Sequence, residues 1–236
     1  MAKKINQFDL DEVYRQLRTN IEFSRMDENI QVINTVSTNP NEGKSTIASN
    51  LARICADKYR NVLLIDCDLR NSTLHRMFKT SNATGLSNLL SHFDEHTSIL
   101  QSEELKVVQT KTGRKMYFLS AGSRVPNPLE LLSSNRFARF LQVARQEFDF
   151  IVIDCPPITA CSDVIPVANA SDGTLFVVSA KDTDKRRARE AVRDLQRNGA
   201  KLMGVCLTKV EDFEQKHYNY YGYGEDEPKK KRRRSK

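Results

Sequence analysis

Three stretches of this sequence are apolar at consecutive positions rather than alternate ones: NVLLID (61–66), DFIVID (149–154) and TLFVVS (174–179). Successive side chains of a strand point to opposite faces, so a strand without alternation is covered on both sides. Further candidate strands are QVINTVS (31–37), MYFLS (116–120) and LMGVCLT (202–208). Helical spacing falls between strands at 45–58, 135–146, 162–170 and 184–198. This succession predicts an α/β fold, a doubly wound and mostly parallel sheet flanked by helices. Ligands of such sheets bind at the carboxyl ends of the strands.

The chain has 236 residues, enough for one such domain. The expected division is a domain over 1–214 and a flexible tail over 215–236, where the composition turns polar, tyrosine-rich and charged. No stretch approaches ~18 uninterrupted apolar residues and the N-terminus lacks an apolar run, so a soluble, cytoplasmic protein is expected. Cys55, Cys67, Cys155, Cys161 and Cys206 form no C-x-x-C pair and mostly sit in apolar runs. They read as small buried residues of a reducing compartment. The net charge of +7 is local, because residues 229–236 (KKKRRRSK) carry seven Lys and Arg. Without them the remainder holds 30 basic and 30 acidic residues, which argues against a nucleic-acid-binding domain.

The segment TNPNEGKST (38–46) follows one strand and opens a helix. It is a P-loop (Walker A) pattern with Thr38 in place of the first glycine. Backbone N–H groups at Asn41, Glu42, Gly43, Lys44 and Ser45, together with the helix start at Thr46, are placed to meet phosphates. Lys44 can reach the β/γ oxygens and Ser45 can ligate Mg²⁺. Alone, Gly-Lys-Ser before a helix is a common turn. The acids at other strand ends change that reading. Asp66 and Asp68 close VLLIDCD, and Asp154 closes FIVID. A carboxylate at the end of an apolar strand costs energy unless a cation or donor meets it.

In order, the P-loop, the segment LLIDCDLR (Asp66, Asp68, Arg70) and FIVIDCPP resemble the bacterial P-loop tyrosine kinases of capsular and exopolysaccharide biosynthesis. GLSNLL (85–90), PNPLELLSS (126–134) and an E-x-x-R-x-x-R at Glu12, Arg15 and Arg18 extend the likeness over about 10–210. Asn71–Thr73 (NST) stands where the family has a proline, and Thr208 where it has an asparagine. The resemblance implies ATP and Mg²⁺ as cofactors, with Lys44, Asp66, Asp68 and Asp154 catalytic. Ser45, Asp68 and Asp154 are the implied metal ligands, and Asp66 the acceptor of the tyrosine proton.

The same likeness implies autophosphorylation of a C-terminal cluster, here Tyr218, Tyr220, Tyr221 and Tyr223. It also implies a homo-oligomeric ring joined through Glu12, Arg15 and Arg18, on a helix at about 9–25. Other expected partners are protein substrates and a separate transmembrane activator of polysaccharide export, which would hold the protein at the inner face of the membrane. Residues 10–21 carry the helical stripe Leu10, Val13, Tyr14, Leu17 and Ile21, with the Glu-Arg-Arg ridge away from it. The polybasic end reads either as a solubilising terminus or as a tether to an anionic membrane surface. Two rivals remain from the residues alone. A partition or cell-division ATPase needs a signature lysine where Asn39 stands. A nucleic-acid-binding module would rest only on the basic tail and its aromatics.

Overall fold

A computed structural model describes residues 9–24, 30–94, 96 and 98–210. The tyrosine cluster, the polybasic end and the last residue of the 9–25 helix expectation lie outside these residues. Among them, seven strands form one sheet in the order β3-β4-β2-β5-β1-β6-β7. These are β1 (Val32–Ser37), β2 (Val62–Asp66), β3 (Lys106–Gln109), β4 (Lys115–Leu119), β5 (Phe150–Asp154), β6 (Gly173–Ser179) and β7 (Leu202–Thr208). Every pairing is parallel except β3 with β4.

The consecutive apolar runs are explained by two cores, one on each face of the sheet. Leu63, Ile65, Ile151 and Ile153 face one core, and Val62, Leu64, Phe150 and Val152 face the other. The first core is closed by α4 (Leu86–His92), α6 (Asn135–Glu147), α7 (Val164–Ala170) and α8 (Lys185–Arg197). The second is closed by α1 (Leu10–Phe23) and α2 (Lys44–Ala56). Two shorter helices, α3 (Leu74–Met77) and α5 (Pro128–Leu132), lie in the connections.

Two features depart from the sequence reading. β3 was not anticipated. Its KVVQ is half-exposed at alternate positions and pairs antiparallel at the sheet edge, so it lacks the apolar run that marks the inner strands. The Glu12–Arg15–Arg18 ridge is divided. Glu12 and Arg15 pair with each other on the exposed side at 2.8 Å. Arg18 instead turns inward and donates to the Ile54 carbonyl at the end of α2, at 3.0 Å. That bond adds a second donor to a carbonyl of the last turn, which also accepts the Asp57 N–H at 3.3 Å, at a helix end where positive charge is favoured. Together with the Arg53–Asp11 ion pair and the buried Tyr14 and Ile21, it fixes α1 on the body.

The turn before α4 shows why GLSNLL begins with glycine. A Cβ at Gly85 would stand 2.1 Å from the Ser120 carbonyl oxygen, so the chain passes against the end of β4 only without a side chain.

Candidate active site

The strand order places β2, β5 and β1 side by side at the centre of the sheet. Their carboxyl ends therefore deliver Asp66, Asp154 and the loop after Ser37 to one place. Asp66 and Asp154 are register partners on adjacent strands, and Asp154 also pairs with Thr35. Two buried carboxylates this close repel unless a cation lies between or beside them.

That cation is Lys44. As the first residue of α2 it is buried, with Nζ 3.5 Å from Asp154 and 3.7 Å from Asp68. Burial alone would lower its proton affinity, but Asp154, Asp68 and Asp66 outweigh it and hold the ammonium above its ordinary value. Ser45 Oγ donates to Asp154 Oδ2 at 2.5 Å. Burial raises the Asp154 carboxyl above the usual carboxylate range, opposed by Lys44 and Ser45. Asp66 is fully enclosed. Burial and then the charge of Asp154 push it up to about 7, against the pull of a Ser72 hydrogen bond.

The loop itself is shaped by Gly43 and Glu42. Gly43 has φ +99°, a left-handed conformation suited to glycine, and a Cβ there would stand 3.1 Å from the Thr208 side chain. Glu42 points away from the cleft. Its carboxylate accepts the N–H groups of Thr38 (2.8 Å) and Asn39 (3.1 Å) and the Thr183 hydroxyl (2.7 Å). Thr208 Oγ1 donates to the Glu42 carbonyl at 2.5 Å, tying the end of β7 to the loop. So Glu42 could offer a ligand its backbone N–H, while its side chain braces the loop.

A cleft of about 470 Å³ opens over this loop, lined by Asn41, Gly43, Lys44, Ser45, Thr46 and Asp68 among others. Asp66 is not on its wall and lies beneath it, with Oδ1 accepting the Asp68 N–H and Oδ2 accepting from Ser72. A larger hollow of about 990 Å³ lies near Pro126, Glu130 and Arg136 and holds none of these acids. The converging charges, rather than size, make the smaller cleft, with Asp68 on its wall, the candidate site.

The donor set fits a nucleotide with a hard cation. Ser45, Asp68 and Asp154 offer only oxygen, the ligand type magnesium takes, and Lys44 already holds a positive charge between two of these acids. Among the described residues no group of three His, Cys, Asp or Glu side chains forms a metal site by itself.

Arg70, Asp163, Ser72 and His75 are the parts that sequence reasoning left without a role. Arg70 makes a two-pronged pair with buried Asp163, at 2.6 and 3.0 Å, joining the loop after β2 to the start of α7. Only the arginine of D-x-D-x-R hinted at it; its partner is 93 residues away.

Comparison with known proteins agrees with this geometry. A family profile described as an AAA domain matches residues 30–195. The tyrosine-protein kinase YwqD of Bacillus subtilis (strain 168) is 36% identical over 211 residues, covering 89% of this chain and 86% of that one. The crystal structure of the chimerical protein CapA2B2 superposes with a TM-score of 0.76 at 31% identity, covering 86% of each chain. The cell division ATPase MinD of Pyrococcus furiosus shares the fold, with a TM-score of 0.61 at 20% identity over 77% of this chain and 73% of that one. With a nucleotide-binding P-loop, three acids converging on its lysine and this degree of likeness over most of its length, the chain belongs to the bacterial tyrosine-protein kinases.

Proposed function

We propose that this kinase transfers phosphate from ATP to tyrosines of its own C-terminal cluster, Tyr218, Tyr220, Tyr221 and Tyr223, and thereby regulates capsular or exopolysaccharide synthesis and export. The observation that carries the reading is Lys44, buried with its ammonium between Asp154 and Asp68 at the phosphate loop. The fates of the other tyrosines support the choice of acceptor. Tyr14 is buried and bonded to Asn50, Tyr59 is stacked on Phe150 and bonded to Glu22, and Tyr117 packs edge-on against Phe148.

Mg²⁺ bound with ATP would be held by Ser45, Asp68 and Asp154 and would neutralise the phosphate charge. The N–H groups of Asn41, Gly43, Lys44 and Ser45 and the start of α2 bind and orient phosphate oxygens. Lys44 places its charge on the transferring group. Asp66 takes the tyrosine proton, since a carboxyl near neutral proton affinity is suited to a general base at cellular pH. Positioning and charge neutralisation supply most of what phosphoryl transfer needs.

The rest of the proposal concerns assembly. Glu12 and Arg15 remain on the exposed face of α1 and are available to a neighbouring subunit in a ring, whereas Arg18 is engaged with α2. Among the described residues no helix is long and apolar enough to cross a membrane. A separate transmembrane activator would bring the kinase to the inner leaflet. The polybasic end would add attraction to anionic lipid, about 1 kcal/mol per Lys or Arg near the surface.

The test is phosphotyrosine formation by purified protein with ATP and Mg²⁺, comparing the wild type with a variant carrying Phe at all four cluster positions. The variant should bind ATP normally and lose most label. Label mapped mainly to Tyr14, Tyr59 or Tyr117 would refute the acceptor assignment.

A further inference from the structure

Asp66 is tied to a second polar side chain through an intermediary. Ser72 Oγ donates to Asp66 Oδ2 at 2.7 Å, and the same oxygen lies 3.0 Å from His75 Nδ1. Ser72 belongs to the NST stretch that follows D-x-D-x-R. Ser72 and His75 are half-buried, whereas Asp66 has no exposed surface.

A serine hydroxyl has one proton. If it goes to the Asp66 carboxylate, the oxygen can only accept from the imidazole, so His75 must carry its proton on Nδ1. Burial, followed by the nearby charges of Arg76 and Lys106, holds the ring below the ordinary imidazole range. The ring is therefore neutral at neutral pH and has a single N–H to place. All three groups are then aligned in one direction, His75 to Ser72 to Asp66. With Oδ1 held by the Asp68 N–H, this chain fixes the plane of the Asp66 carboxyl.

We propose that Ser72 and His75 are positioning residues for Asp66, Ser72 by direct hydrogen bond and His75 by buttressing Ser72 from its Nδ1–H. The inference rests on the reading of Asp66 as the acceptor of the tyrosine proton. The alignment fixes the plane of the Asp66 carboxyl beneath the cleft wall, and a small misplacement of a base lowers turnover rather than nucleotide binding.

The first test needs no nucleotide. Full-length protein labelled with ¹⁵N-histidine, at about pH 8 where carboxylates are ionised, is examined by two-bond proton–nitrogen NMR. His75→Phe assigns the His75 signal. The wild type should show the Nδ1–H tautomer, and Ser72→Ala should return the ring to the Nε2–H form that free imidazole favours. An Nε2–H ring in the wild type, or one indifferent to Ser72→Ala, overturns the proposal.

The second test is kinetic. Ser72→Ala and His75→Phe should lower kcat for tyrosine transfer roughly ten- to a hundredfold with unchanged ATP affinity, and Ser72→Thr should restore it. Wild-type turnover in Ser72→Ala, beside lost turnover in Asp66→Asn, overturns the positioning role alone. Wild-type turnover in Asp66→Asn overturns the reading of Asp66 as base, and the inference falls with it.

Discussion

Glu42 Oε2 accepts the main-chain N–H of Thr38 at 2.8 Å, so the phosphate loop is closed on itself by one of its own side chains. The carboxylate also takes the Asn39 N–H and the Thr183 hydroxyl, so it joins the start of the loop to the segment after β6. Two loop N–H groups are thereby satisfied internally, and the N–H groups further along are left to meet an anion.

Glu42→Ala should leave these buried donors without a partner. A hydrogen bond to a charged group is worth about 1.5–3 kcal/mol, so a loss of about 2 kcal/mol is expected in chemical denaturation. ATP affinity should fall with it, because the loop loses its brace. Calorimetric binding equal to the wild type would show that the loop keeps its shape without Glu42.

The sheet centre was legible because burial on both faces leaves a signature that survives in one dimension. β2, β5 and β6 are runs that only a covered parallel sheet tolerates. The three acids stand out in the sequence because each follows such a run, and the phosphate loop because of its own Gly-Lys-Ser-Thr between a strand and a helix. β3 was not, since an edge strand with one wet face reads like a loop. Nor were the Arg70–Asp163 pair, the inward turn of Arg18 or the bracing role of Glu42. The first two depend on partners brought near by the fold, which local spacing does not encode; Glu42 finds two of its partners three and four residues back, but only the turn of the loop aims its carboxylate at them. Asp66 shows the same limit. Its residue type and place were readable, but its position beneath the cleft wall follows from Ser72 and Asp68 closing over it.

Lys44→Met should abolish transfer, by at least about a hundredfold, because it removes the charge on the moving phosphoryl group. It should also make stability more dependent on pH in nucleotide-free protein. Asp66 and Asp154 have raised carboxyl values in the folded state, so folding is favoured while they are protonated. For Asp66 that stability is lost as pH rises from the ordinary carboxylate range through about 7, and Asp154 adds a loss of the same sign. Without the Lys44 ammonium the loss should steepen. Thermal unfolding at pH 5 and pH 8 checks this, and parallel curves for the two proteins would contradict it.

Asp172 gives the opposite sign. Burial alone would raise its carboxyl, but Arg145 and the N–H groups of Val32 and Gln31 outweigh that and hold it below the usual range. Both Arg145 nitrogens lie 2.8 Å from its oxygens. A lowered value contributes stability above the ordinary carboxylate range, about 4, that is lost as pH falls through the folded value. Asp172→Asn should therefore cost about 2 kcal/mol at neutral pH, and the gap to the wild type should close in acid. A gap that stays constant with pH would mean that the lost packing, not the charge, is responsible.

Arg15 and Arg18 lie one helical turn apart on α1, and their surroundings predict different outcomes. Arg15 is exposed and paired with Glu12 and Asp9, and exposed pairs contribute about 0–1 kcal/mol. Arg15→Ala should leave the unfolding midpoint nearly unchanged. Arg18 is mostly covered, donates to the Ile54 carbonyl and lies 3.7 Å from Glu22, which in turn holds Lys58 and the Tyr59 hydroxyl. Arg18→Ala should cost about 1–3 kcal/mol and loosen α1 from α2, seen as faster amide exchange in α1. Light scattering on the same proteins then separates assembly from folding. If α1 carries a subunit contact through its exposed ridge, Arg15→Ala with Glu12→Ala should lower the mass while stability holds. A mass that falls only with Arg18→Ala would assign the effect to the undocking of α1.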